Sequence, residues 1–210
     1  MAYPLQLQTY SLGLQMLSLY VPEAGAVHRY YQQHKTTQTS FPYWAQVWPA
    51  ALALGQFLLQ QPHYIQSKKV LELAAGLGLP SLVAAQFADE VTCTDYIPEA
   101  VAAATASAQY NSLPNMQCTV MNWHHLPPDL KPNVLLLSDV NYEPHQFEVL
   151  YKILERFIAN GTTVLLSTPQ RLMAKPFISR LLPWCAAQHQ LEVSHLQHKT
   201  SITVMVLQST

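Results

Sequence analysis

A chain of 210 residues, half of them apolar and only 11% charged, can bury one sizeable core: one domain, with room for a modest extension. Its 11 basic and 12 acidic residues leave a formal net charge of −1, and no basic stripe exceeds Lys68-Lys69, which argues against DNA or RNA as partner. No apolar run approaches the roughly 20 residues of a spanning helix, no leader-like segment opens the chain, and three scattered cysteines make no disulfide framework, so no membrane role and a reducing, cytoplasmic setting are expected.

Taken in chain order, residues 5–20 carry apolar side chains at alternating positions interrupted by Gly13, the pattern of an N-terminal hairpin. Residues 22–42 are polar, and Gln32-Gln33-His34-Lys35-Thr36-Thr37 reads as a loop or lid. Pro49 suits the first turn of a helix whose apolar face runs through Leu52, Leu54, Phe57 and Leu58. Strands and helices then alternate: strand Val70–Leu73, helix Leu79–Phe87, strand Val91–Asp95, helix Pro98–Gln109 and strand Met116–Met121. Val134–Asp139 is a near-continuous apolar run, as expected of a central parallel strand covered on both faces. Helix Gln146–Ile158, strand Thr163–Ser167 and helix Leu172–Ala187 follow.

The chain closes on Leu191–Leu196 and Ile202–Leu207, joined by the polar turn His198-Lys199-Thr200. So short a link allows only an antiparallel pair, since a parallel crossover needs a dozen or more residues. The whole pattern predicts an α/β fold: a doubly wound, mostly parallel seven-stranded sheet with an antiparallel C-terminal edge hairpin. Residues 1–45 form the expected N-terminal extension, hairpin and lid-like loop packed on the core, and residues 46–210 the main domain.

The chemistry concentrates at Lys69–Pro80, a short apolar strand ending in Glu72 and followed by the small-residue turn Ala74-Ala75-Gly76-Leu77-Gly78. Such a turn lets backbone approach a ligand where a side chain would block it. Asp95 ends the next strand, so two acids stand at neighbouring strand ends, where nucleotide-like ligands bind. A dinucleotide fingerprint needs a third glycine where Ser81 stands, and Glu72 would repel a pyrophosphate but suits an amino group and a sulfonium. An alanine at position 74 is expected to take an ordinary backbone angle. The nine histidines are poorly spaced for a metal: His124 and His125 are adjacent and would point to opposite faces of a strand.

Glu72-x-Ala74-x-Gly76-x-Gly78 resembles motif I of the class I S-adenosylmethionine-dependent methyltransferases, with one of three glycines replaced. Trp48-Pro49-Ala50-Ala51-Leu52-Ala53-Leu54 resembles the W-P-A-A-x-x-L segment of the methyltransferase family 16 group, which contains small protein-lysine methyltransferases and nicotinamide N-methyltransferase-like proteins. Trp123 after the third strand, Asp139-Val140-Asn141-Tyr142 after the fourth, and Asp95 with Asn111 complete five ordered matches spanning roughly residues 40–170.

The resemblance implies S-adenosyl-L-methionine as methyl donor, S-adenosyl-L-homocysteine as product, and a protein lysine or a small-molecule amine or heterocycle as acceptor. It also implies roles. Glu72 would hold the methionine amino group, directly or through water; Ala74, Ala75 and Gly76 would pass their backbone beneath the methionine and ribose. Asp95 would accept from both ribose hydroxyls, Trp123 would pack on the adenine, Trp48 would close the pocket, and Ser138 would lend backbone below it. Asp139 would orient the acceptor amine and Tyr142 would shape its narrow approach. Plainer readings stand beside these: Trp48 and Trp123 as core aromatics, Asp95 as a helix cap, Glu72 as a surface acid, the Asp139–Tyr142 pair as a loop anchor, and the whole as a cofactor-binding scaffold without catalysis.

Overall fold

The computed structural model describes residues 3–35, 41–195 and 198–209. Strands β1 (Leu5–Leu12) and β2 (Gln15–Pro22) form the expected antiparallel hairpin, turning at Gly13. Helices α1 (Ala24–His34) and α2 (Pro49–Gln60) precede the sheet. The alternating run comprises β3 (Lys69–Glu72), α3 (Leu79–Ala84), β4 (Glu90–Asp95), α4 (Pro98–Tyr110), β5 (Met116–Val120), β6 (Val134–Ser138), α5 (Phe147–Ala159), β7 (Thr163–Pro169) and α6 (Lys175–Leu181). β8 (Cys185–His195) and β9 (His198–Leu207) close it.

The main sheet has seven strands in the order β5-β4-β3-β6-β7-β9-β8. β3, β4, β5, β6 and β7 pair in parallel; β9 runs antiparallel to both β7 and β8, so the C-terminal hairpin forms one edge with its reversed strand on the inner side. Strand order reverses between β3 and β6, and the crevice at their carboxyl ends is the ligand position of such sheets. The central strands divide their side chains cleanly by period two. Val134 and Leu136 of β6 join the core under α2, α3 and α4, while Leu135 and Leu137 join the core under α5 and α6.

Close packing on the first face depends on small residues. Ala100, Ala103, Ala104 and Ala108 line the buried side of α4. Gly55 lets α2 touch α3, where an added Cβ would lie 2.7 Å from Leu79 Cδ2. The N-terminal hairpin is tied to α4 by polar contacts: Tyr20 N–H donates to Ser107 Oγ at 2.9 Å and Asn111 Nδ2 donates to Ser18 O at 2.8 Å.

Three local expectations change. The polar 22–42 segment holds α1, which inserts Val27 into the interior and includes Gln32, Gln33 and His34 of the stretch read as loop or lid; Thr36 and Thr37 lie outside the described residues. The helix expected over Leu172–Ala187 ends at Leu181, because Pro183 has no N–H to donate, and the chain pairs with β9 from Cys185 onward. His198-Lys199-Thr200 open β9 rather than form the turn, and positions 196–197 lie outside the described residues. Cys93 is buried and Cys118 partly so; both are free thiols.

Candidate active site

A cavity of about 540 Å³ opens at the strand-order reversal, over the carboxyl ends of β3, β4 and β6. Its size is that of a site for a cofactor or drug-sized molecule. The floor is the turn Ala74–Gly78, one wall is the segment Phe41–Trp48, and the far side is the loop after β6 with Arg171 and Met173.

The floor is set by backbone bonds between strands. Leu73 N–H reaches Leu136 O at 3.3 Å, Ala75 N–H reaches Thr94 O at 2.9 Å, and Thr94 Oγ1 donates to Glu72 O at 2.7 Å. These contacts fold the turn back over the strand end. Ala74 then adopts φ +52°, against the ordinary angle expected of an alanine; the glycine-type conformation persists although the glycine does not. Gly76 passes under the Trp44 backbone, with an added Cβ only 3.4 Å from Trp44 O. Gly78, at φ +69° and the N-cap of α3, has no room at all: a Cβ would stand 2.8 Å from Cys93 Sγ.

The two strand-end acids do different work. Asp95 lines the cavity and is locked by backbone, Oδ2 accepting from Gly76 N–H at 2.8 Å and Oδ1 from Ile97 N–H at 2.9 Å. Burial pushes its carboxyl up, and N–H bonds from Ile97, Gly76 and Tyr96 oppose that shift. Each oxygen keeps a lone pair for a ligand hydroxyl. Glu72 lies deeper. It is fully buried and absent from the cavity wall; its Oε2 accepts from Ser81 N–H at 2.9 Å and Ser81 Oγ at 2.5 Å, while Oε1 has no partner. Burial raises its pKa to about 8, the Ser81 bonds pulling the other way.

Trp123, on a single turn after β5, and Trp48, at the N-cap of α2, both line the cavity. Trp48 Nε1 donates to Tyr43 O at 2.8 Å, and the Tyr43 ring packs on both Trp48, at 5.9 Å, and Tyr142, at 5.7 Å. An aromatic rim therefore joins the N-terminal wall to the loop after β6. Ser138 sits on the wall at the end of β6, opposite Ser167 of β7, whose Oγ donates to Ala50 O at 2.9 Å.

Asp139 and Tyr142 occupy the far side. Asp139 is buried at φ +55°, its N–H donating to Ser167 O at 3.0 Å. Both its oxygens are taken by Arg171, Nη1 on Oδ1 and Nη2 on Oδ2 at 3.1 Å. Burial, with Glu143 beside it, pushes the Tyr142 phenol up to about 12, so it keeps its proton at any working pH and is no base. All ten sequence-derived positions except Glu72 reach the cavity wall. Sequence reasoning overlooked Arg171, Ser81 and the rim residues Phe41 and Tyr43. A signal existed for Arg171: a lone cation just past the end of β7, beside the strand that delivers Asp139.

Among the described residues no group of three or more His, Cys, Asp and Glu side chains is placed to hold a metal, and no helix is long and apolar enough to cross a membrane. Comparison with known proteins agrees with the geometry. Over 108 residues the chain is 35% identical to the human protein named histone-arginine methyltransferase METTL23, covering 49% of this chain and 57% of that one. Over 134 residues it is 31% identical to the human electron transfer flavoprotein beta subunit lysine methyltransferase, covering 63% of this chain and 51% of that one. The chain thus spans a little over half the length of these relatives. Among solved structures, N-methyltransferase NodS from Bradyrhizobium japonicum, in complex with S-adenosyl-L-homocysteine, shares the fold at TM-score 0.59 and 10% identity, over 86% of this chain and 98% of that one. The family described as Lysine methyltransferase matches residues 30–183, and the chain belongs to that family.

Proposed function

We propose that this protein is a methyltransferase that uses S-adenosyl-L-methionine, releases S-adenosyl-L-homocysteine, and modifies a lysine side chain of a protein. The observation that carries the reading is the joint placement of Asp95 and Asp139 on opposite sides of one cavity at the strand-order reversal. One carboxylate faces the position for a hydroxyl-bearing cofactor and the other the position for an acceptor.

The residues present fit that cofactor. The small-residue turn leaves space for it, Asp95 offers free lone pairs to ribose hydroxyls, and Trp123 offers a face to adenine. Trp48 closes the N-terminal side, and Ser138 with Ala74, Ala75 and Gly76 supplies backbone beneath. Glu72 serves through water: its Oε1 is a buried polar atom without a partner, set behind the wall. When bound, the sulfonium supplies an electrophilic methyl group. The chain must then present a neutral nitrogen, and a free lysine of pKa about 10.4 needs roughly 4–5 kcal/mol to reach that state near pH 7. Asp139 orients the acceptor, Tyr142 and Tyr43 narrow its approach, and water takes the proton. The division into an extension (1–45) and a catalytic domain (46–210) follows the same reading, the extension contributing Phe41–Trp44 to the cavity wall. We place the protein in the cytoplasm.

Calorimetry with S-adenosyl-L-homocysteine tests the cofactor half: wild type binds, and Asp95→Ala binds at least about tenfold more weakly, the loss of two hydrogen bonds to a charged group. Absence of heat with wild type overturns the reading. Labelling lysate proteins and small metabolites separately tests the acceptor half, with modified lysine identified by mass. Asp139→Ala and Tyr142→Phe are expected to lower turnover while leaving cofactor affinity in place. Label on arginine, or on small amines alone, overturns the lysine assignment.

A further inference from the structure

We propose that Arg171 is the positioning residue that cancels the charge of Asp139 at the acceptor end of the cavity, so that an amine arriving there gives up its proton to water. A bare carboxylate beside an amine favours the ammonium form and works against methylation. In this protein the carboxylate is not bare. The Arg171 guanidinium closes a two-bond fork on Asp139, both side chains being largely withdrawn from water, with side-chain exposures of 30% and 9%. So geometrically matched a pair leaves no uncompensated charge.

The surroundings assign that task to Arg171 alone. The other titratable groups lining the cavity are Tyr142 and Glu143 from the loop after β6, Asp95 and Tyr96 from the end of β4, and Tyr43 from the N-terminal wall. Every other charged group among these is acidic, and Arg171 is the sole cation among the described residues lining the cavity. Glu143 turns to His145 at 3.4 Å, a partly exposed pair. Backbone contacts hold both members in place: Asp139 N–H on Ser167 O at 3.0 Å, and Arg171 N–H on Pro169 O at 2.9 Å. The strained left-handed backbone of Asp139 is the cost of aiming its carboxylate at the β7 loop, where the guanidinium waits.

The consequence is specific. With the fork closed, Asp139 offers an incoming nitrogen a hydrogen-bond acceptor but little net attraction for a cation. With Arg171 removed, it becomes a trap for ammonium. This inference rests on the methyl-transfer reading for its rate measurement; its binding measurement stands apart from it.

Three variants decide the matter: Arg171→Gln, Arg171→Lys and the double variant Asp139→Asn/Arg171→Gln. n-Butylammonium, a lysine side-chain mimic, is titrated by NMR at pH 7 without turnover, and S-adenosyl-L-homocysteine calorimetry confirms the fold of each variant. Arg171→Gln is expected to bind the mimic about tenfold tighter than wild type, with the acid limb of kcat, which reports the bound amine, displaced upward by about one pH unit. Arg171→Lys and the double variant keep weak binding and the wild-type limb, because charge is balanced in both. Unchanged mimic affinity in a folded Arg171→Gln protein overturns the proposal. So does an upward limb in the double variant, which remains decisive if Arg171→Gln fails to fold. Loss of methyl transfer in wild type would sink the enzymatic reading and leave the cation-binding comparison standing.

Discussion

Ala74 shows how far a single position can depart from its local preference. A left-handed angle costs a non-glycine residue about 1–2 kcal/mol, yet Ala74 holds φ +52° because Ala75 is bonded to Thr94 and Leu73 to Leu136 on either side. The expectation of ordinary geometry rested on the residue's own steric map, and two strand-to-strand bonds override it. Ala74→Gly is therefore expected to relieve the strain. The gain is partly offset by about 0.4–1 kcal/mol of added unfolded-state entropy, leaving a melting temperature raised by about 1–4 °C and cofactor affinity within about twofold. A lowered melting temperature would show that the turn carries no strain. Asp139 is the second such case, and there the left-handed angle accompanies an ion pair whose cation is marked in the sequence only by its place just past the end of β7.

At the scale of elements, the join between the turn and α3 is the tightest point of the fold. Gly78 caps that helix at φ +69°, and its missing Cβ is the space that Cys93 of β4 occupies. Gly78→Ala combines left-handed strain with overpacking against a buried sulfur, an expected loss of about 2–4 kcal/mol in denaturant unfolding. Cofactor affinity should fall with it, since the same turn forms the cavity floor. An effect under about 0.5 kcal/mol would mean that β4 can yield. Elements with strong periodicity were legible from the chain: α2, β4, α4, β6 and α5 formed where their apolar patterns placed them. Those that depend on partners were not. α1 inserts only Val27 into the interior, so its polar sequence reads as loop, and β8 is recruited by pairing with β9 where the apolar spacing predicts more helix.

At the scale of the whole molecule, burial of Glu72 ties global stability to pH. Its folded pKa, raised to about 8 by burial, lies above the unfolded value of 4.5. Stability from the protonated form is complete below the unfolded value and is lost as pH rises toward the folded one. Between pH 6 and 8 this amounts to at most about 1.4 kcal/mol per pH unit. Wild type should therefore melt at lower temperature as pH rises through that window, and Glu72→Gln, neutral throughout, should flatten the decline. Parallel curves for the two proteins would show that Glu72 is already ionised when folded.

The chain by itself determined the class of fold, the order of the central elements and ten candidate site residues, nine of which line the cavity. Those properties rest on periodicity, strand-end acids and small residues, all local in sequence. Tertiary structure alone decided that Glu72 withdraws behind Ser81, that Ala74 turns left-handed, and that Asp139 meets Arg171. Each of these joins residues brought together by neighbouring strands or packed helices, and contacts of that kind are fixed by strand order and packing rather than by spacing along the chain.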